Sequence, residues 1–231
     1  MDEQEIKKRL YRKATVFQTG GMRPQFTKEE PWIGAVHFYL PEEGIPLDQN
    51  DKPMRPLLQV NLGVLPFVST IWGRTQMFTV FISRNFRPED DDSSKHFCIR
   101  EYEDVNVLVK KEFDVDFLIK PFPMSYSLVE DDSPAWDSAD VPVDVADAIL
   151  EKEDGEDEFD YFEDIWNGYS LTKVGGYASY IQGSLGFPAG YEFALQIASD
   201  AKANLNIVDS GNFYFAKNLQ TGLWYVDCDF Y

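Results

Sequence analysis

Glu192-Phe193-Ala194-Leu195-Gln196-Ile197, followed after a linker by Asp209-Ser210-Gly211 and Asn212-Phe213-Tyr214-Phe215, is the stretch that decides the fold. Phe193, Leu195 and Ile197 alternate with Ala194, Gln196 and Ala198, the period of a strand whose two faces differ. A second strand over 213–216 follows a glycine-containing turn. The same phrase occurs earlier as Pro56-Leu57-Leu58-Gln59-Val60-Asn61-Leu62, a linker, and Met77-Phe78-Thr79-Val80-Phe81-Ile82. Each copy has a glycine pair upstream, Gly20-Gly21 and Gly175-Gly176. The pattern predicts an internal duplication of one β unit, with Gln59 and Gln196 in equivalent places. A glutamine inside an apolar strand needs its amide hydrogen-bonded, and the expected arrangement is a polar clasp in which the two meet across the duplication.

Working outward, residues 3–13 read as a short charged helix with Ile6 and Leu10 four apart. Strands are predicted over 15–18 and 32–40, the latter with Val36, Phe38 and Leu40 on one face and Ala35, His37 and Tyr39 on the other. Pro41, Pro46, Pro53 and Pro56 make 41–56 a loop. Strands follow over 57–62 and 77–82, and then over 97–102, 105–109, 117–119 and 124–129. The expected fold class is α+β: mainly antiparallel β with a duplicated strand unit and a few short helices between the repeats. One domain is expected, with a first β repeat over about 15–129, an acidic helical insertion over about 130–168 and a second repeat over about 170–231.

At 231 residues, 44% hydrophobic and 15% aromatic, the chain can bury a core without staples. Its 18 Phe and 12 Tyr suit strands more than helices. The net charge of −19 works against nucleic-acid and anionic membrane partners. Cys98 and Cys228 make neither a disulfide framework nor a zinc site. The first residues lack the apolar core of a signal peptide, and no apolar run approaches a membrane span, so a cytoplasmic protein is expected.

Most of the charge is concentrated in one place. From 130 to 164 there are 16 acidic residues and a single lysine. Pro142 suits a helix start, after which Val145, Ala148 and Ile149 share a face. Phe159, Phe162 and Trp166 recur at helical spacing ahead of Gly168. Two helices are therefore expected, with Phe159, Phe162 and Trp166 turned inward. Glu156, Asp157, Asp160, Tyr161 and Asp164 then form an outer face for a basic protein partner.

Signatures of catalysis are missing: there is no phosphate loop, no dinucleotide glycine motif, no zinc-protease helix and no nucleophile elbow. Asp209-Ser210-Gly211 has the form of an aspartic-protease loop. That chemistry needs two carboxylates sharing a proton, and the first repeat has no matching motif, so a turn is expected. His37 and His96 read as packed or surface histidines. The acidic run does not meet the spacing of a calcium loop. No catalytic residue, metal or cofactor is assigned.

The order Gly20-Gly21, 58–62, Leu65-Pro66, 173–177, 195–197, 209–211 and Asp227-Cys228 resembles the YwqG-like bacterial family, which carries a domain of unknown function. The likeness runs from about Thr15 to Cys228. It departs at Ile207-Val208, where the family tends to place Trp-Gly, and at Ala198, where it tends to place Asp. The resemblance implies a duplicated, antiparallel α+β fold without established catalytic activity, and a link to bacterial toxin systems as immunity partners. The expected function is a non-enzymatic binding protein that neutralises a basic toxin such as a nuclease. The alternatives are a housekeeping protein holding a small ligand and, last, a carboxylate-based or metal-dependent hydrolase.

Overall fold

The computed structural model describes residues 1–89, 92–114, 118–155, 159–183 and 186–231. Helix α1 (Glu3–Leu10) opens on Asp2, whose carboxylate accepts the Glu5 N–H, and ends in Lys7, Lys8 and Arg9, which suit the negative end of the helix dipole. The strands follow as β1 (Arg12–Thr19), β2 (Trp32–Ile33), β3 (Phe38–Tyr39), β4 (Arg55–Asn61), β5 (Met77–Ile82), β6 (Phe97–Tyr102), β7 (Val109–Lys110) and β8 (Phe122–Asp132). Helices α2 (Val143–Glu153) and α3 (Tyr161–Asp164) come next, then β9 (Lys173–Gly175), β10 (Tyr191–Ala198), β11 (Asn212–Asn218) and β12 (Trp224–Asp229).

Among the described residues, ten strands form one antiparallel sheet in the order β12-β11-β10-β9-β1-β8-β2-β4-β5-β6, and β3 with β7 makes a separate ribbon. The sheet curls until its ends approach as a near-barrel. Glu101 on β6 accepts from Lys217 Nζ at 2.6 Å and from Trp224 Nε1 at 3.1 Å. Ser94, just before β6, accepts the Val226 N–H through its hydroxyl, and the Phe97 ring meets that of Phe215. This closure puts side chains from both ends into one apolar interior, among them Leu58, Val60, Phe78, Val80, Leu195, Ile197, Phe213 and Phe215.

Strand β5 is apolar except for the buried Thr79. Phe78, Val80 and Ile82 face that interior. Phe81 faces outward into a cluster with Val36, Tyr39 and Met54, and Met77 into one with Phe38, Tyr102 and Leu108. A strand covered on both faces reads as a run rather than an alternation. Among the described residues no helix is long and apolar enough to cross a membrane.

Several sequence expectations are corrected. The single strand over 32–40 is two, because Gly34 turns the chain out of the sheet at φ +72°. A β-carbon there would lie 2.5 Å from the Lys120 carbonyl oxygen. Beyond the turn, the N–H groups of His37 and Phe38 are satisfied by Gln59 Oε1 instead of a strand ladder. Residues 105–107 form a 3₁₀ turn after the Asp104 cap, leaving only the two-residue β7. Leu118 and Ile119 lie outside any strand, and Phe117 falls outside the described residues. The two glutamines do not meet. Four strands separate β4 from β10, and Gln196 serves its own side, accepting from the Ser179 N–H and donating to the Leu171 carbonyl.

Gly34→Ala combines a left-handed backbone with a backbone clash, so we expect a loss of about 2–4 kcal/mol. Urea unfolding should show the midpoint falling with the slope unchanged. A change under about 0.5 kcal/mol would mean that the turn relaxes freely.

Candidate functional site

The insertion between β8 and β9 is held as a second small core. Val145 and Ile149 on α2, with Tyr161 and Ile165 around α3, pack on Ile6 and Leu10 of α1. Trp136, Val141 and Phe159 are half-buried against the same cluster. The helix over 143–153 buries Val145, Ala148 and Ile149, the face its spacing predicted. Arg9 on α1 adds a two-pronged ion pair with Asp144 on α2.

The base of the insertion is clamped by charge. Asp132 ends β8 and Lys173 begins β9, and both side chains are fully buried. Lys173 Nζ donates to Asp132 Oδ1 at 2.9 Å, to Oδ2 at 2.7 Å and to Ser179 Oγ at 2.9 Å. The Tyr177 N–H donates to Asp132 Oδ2 at 2.8 Å. Burial is the largest influence on both groups: it pushes the Asp132 carboxyl up and the Lys173 amine down, and each partner's charge pulls the other back. Gly176 is required beside this pair, since a β-carbon would collide with Asp132 Oδ2. The neighbouring chain is tied in as well. Ser133 Oγ accepts the Asn167 N–H, the Tyr169 hydroxyl donates to Asp131, and Ser179 Oγ donates to the Tyr169 carbonyl.

Helix α3 departs from the expected orientation by one residue in phase. It has a single turn, begun by Asp160, whose Oδ1 accepts the N–H groups of Phe162 and Glu163. The inward pair is Tyr161 and Ile165, each 1% exposed. The other pair spaced by four, Phe162 and Trp166, points out at 57% and 41% exposure. Both pairs have helical spacing, so period alone does not choose between them. Tyr161 wins the interior because its hydroxyl finds the Pro134 carbonyl at 2.8 Å, a contact from 27 residues earlier in the chain. Tyr161 is therefore a core residue, not a contact residue.

Asp160 is exposed and Asp164 partly so, with the Asp164 carboxylate accepting the Asp160 N–H. Glu156 and Asp157 lie outside the described residues. Phe162, Trp166 and exposed Glu163 are the candidates that sequence reasoning missed. The missed signal was a capping aspartate directly ahead of an aromatic pair. Exposed Val143 and Leu150 on α2 extend the apolar content of the insertion's surface.

Removing only the Tyr161 hydroxyl strands the Pro134 carbonyl, so Tyr161→Phe should cost about 1–2 kcal/mol. Thermal or urea unfolding reads this directly, and a neutral result would mean that water replaces the bond.

The remaining candidates are quiet. Asp209 is exposed in a turn closed by the Gly211 N–H on the Ile207 carbonyl, with Val208 and Ser210 at positive φ. Burial lowers the His37 pKa, with Lys110 adding to the effect, and the ring packs edge-on against Trp32. Burial raises the Cys228 thiol to about 11, away from nucleophilic use at neutral pH. Among the described residues no three His, Cys, Asp or Glu side chains gather closely enough to hold a metal ion.

A family model described as a domain of unknown function, DUF1963, matches residues 34–219. No curated protein matches the chain.

Proposed function

This chain belongs to the DUF1963 family, and on that premise we propose that it is a binding protein whose insertion docks on a basic protein partner. The observation that carries the reading is the outward pair Phe162, on α3, and Trp166, just after it, set beside Asp160, Glu163 and Asp164 on a segment held by its own core. Aromatic side chains anchor protein interfaces, and surrounding charge steers the encounter. A protein gains nothing internal from exposing two large rings beside clustered like charges, whereas a basic surface with an apolar recess is complementary to both. A toxin that grips nucleic acid, such as a nuclease, presents that kind of surface. The partner class therefore fits an immunity role in the cytoplasm, in line with the narrower YwqG-like affiliation that the short motifs suggest.

The test is to establish whether a basic protein is encoded beside its gene and, with that protein, to follow association across ionic strength. Fast association that slows steeply with salt supports the reading. Absence of binding, or a rate indifferent to salt, overturns it.

We also infer that the sheet derives from two copies of one unit, over about 32–102 and 173–229. Support comes from matching registers: Trp32 opposite Gln59 and Lys173 opposite Gln196, then Gln59 opposite Thr79 and Gln196 opposite Tyr214. Each copy has an irregularity at the same place, between Pro56 and Leu58 and between Phe193 and Leu195. Gly34 and Gly175 both take positive φ, and each sits close to a lysine carbonyl, Lys120 in one case and Lys13 in the other. Strands β1 and β8 pair with each other, and each lies beside the other half's unit. Superposing 55–61 and 77–82 on 192–198 and 212–217 should bring Gln59 onto Gln196. An unrelated arrangement of these strands would end the idea.

A further inference from the structure

A cavity of about 560 Å³ opens between β1, the turn after β4 and the chain leading into β10. Its size is that of a small-molecule site. Phe67, Phe187 and Phe193 form aromatic walls, the last two with nearly parallel rings 6.2 Å apart. Gly175 and Gly176 bring bare backbone to its lining.

Among the described residues, six side chains of the lining have no hydrogen-bond partner: exposed Thr70 and Glu192 and half-buried Tyr191, and three that converge away from them, Arg12, Asp140 and Ser69. The Arg12 guanidinium lies over the Tyr177 ring at 4.0 Å, at the exposed rim. The Asp140 carboxylate is half-buried, close enough to Arg12 to feel its charge but without an ion pair to it. Ser69 Oγ is buried and unpartnered, at a position ahead of the 70–72 turn where a serine usually caps. Buried polar groups are nearly always paired. Arg12 as a cation and half-buried Asp140 as a carboxylate, left open beside aromatic walls, are the complement of a molecule carrying both charges and a ring; Glu192, the other open carboxylate of the lining, is exposed and hydrated.

We infer that this cavity binds a small aromatic zwitterion, an α-amino acid with an aromatic side chain. Its carboxylate pairs with Arg12 and its ammonium with Asp140, with the Ser69 hydroxyl as a further polar contact. Its ring lies among Phe67, Phe187 and Phe193. An anion alone would leave Asp140 unpaired and face its repulsion. A neutral apolar ligand would leave both charges unmet and cover them from water, which is costly. The site is separate from the Phe162 and Trp166 face, so the two proposals can fail independently.

The test uses the full chain and calorimetric titration with L-tryptophan and L-phenylalanine, beside 3-phenylpropionate, which lacks the ammonium, and phenethylamine, which lacks the carboxylate. Saturable binding of the amino acids is expected, with each analogue at least 10-fold weaker. Arg12→Gln should weaken the amino acids at least 10-fold and leave phenethylamine unchanged. Asp140→Asn should do the converse, leaving 3-phenylpropionate no weaker. Phe162→Ala with Trp166→Ala should change nothing here. The analogue series on the wild-type chain decides the matter if a variant fails to fold. No saturable binding of either amino acid, equal binding of the analogues, or tighter binding of guanosine would overturn the assignment.

Discussion

Replacing Lys173 by methionine is expected to cost about 3–5 kcal/mol of folding stability, because it leaves Asp132 as an uncompensated charge in a fully buried site. Methionine fills much of the same volume, so the loss reads as electrostatics more than as a cavity. The deficit should also depend on pH, and its sign is fixed. Burial raises the Asp132 carboxyl and Lys173 is the largest influence holding it down, so in the variant the folded-state pKa climbs further. A carboxyl raised above its unfolded value contributes stability at low pH and loses it as pH rises through the folded pKa. The variant should therefore recover part of its deficit as pH falls from 7.5 toward the ordinary aspartate range of about 4.

Asp132→Ala should be worse. It strands the buried amine and also removes the acceptor for the Tyr177 N–H. Urea unfolding at two pH values checks both statements. A loss below about 1 kcal/mol that does not vary with pH would mean that water reaches the pair. Since the pair joins the last residue of β8 to the first of β9, loosening it should also loosen the docking of the insertion between them.

Much of this architecture was legible in the sequence because it rests on local period. The strands at 77–82 and 97–102 and the inner face of α2 follow from alternation and from i, i+3, i+4 spacing. The errors occur where a distant contact decides. The strand over 32–40 looked continuous because its residues alternate; the break comes from Gly34 approaching Lys120, 86 positions away. Phe162 and Trp166 looked like core residues because they have the right spacing, but so do Tyr161 and Ile165. Only the Pro134 carbonyl separates the two choices. The buried Asp132–Lys173 pair was unreadable for the same reason: a lysine in a short strand and an aspartate in an acidic run carry no mark of pairing. Likewise Arg12, Ser69 and Asp140 come from three separated segments, and only folding gathers them around one cavity.

Truncating Phe162 and Trp166 is expected to be as costly for binding as Lys173→Met is for folding. If these rings anchor the partner, each alanine substitution removes about 2 kcal/mol of affinity, or about 30-fold in Kd. Phe162 is 57% exposed, so its truncation should leave folding stability within about 0.5 kcal/mol of wild type, whereas Trp166, 41% exposed with its ring over Gly168, should cost about 1 kcal/mol. Charge should act on a different quantity. Replacing Asp160 and Asp164 by Asn and Glu163 by Gln keeps an oxygen for the cap on Phe162 and Glu163, and another for the Asp160 N–H. It also removes three negative charges. Association should slow and its salt dependence flatten, while dissociation changes little. Ring substitutions should instead speed dissociation and leave the salt slope intact. Stopped-flow measurement of both rates with a basic partner identified in that way, at low and physiological salt, separates the two contributions. If neither the ring variants nor the charge variant changes a rate, the partner does not use this face and the acidic insertion serves only as a solvated surface. If the charge variant alone has an effect, the acids steer a partner that docks elsewhere on the chain.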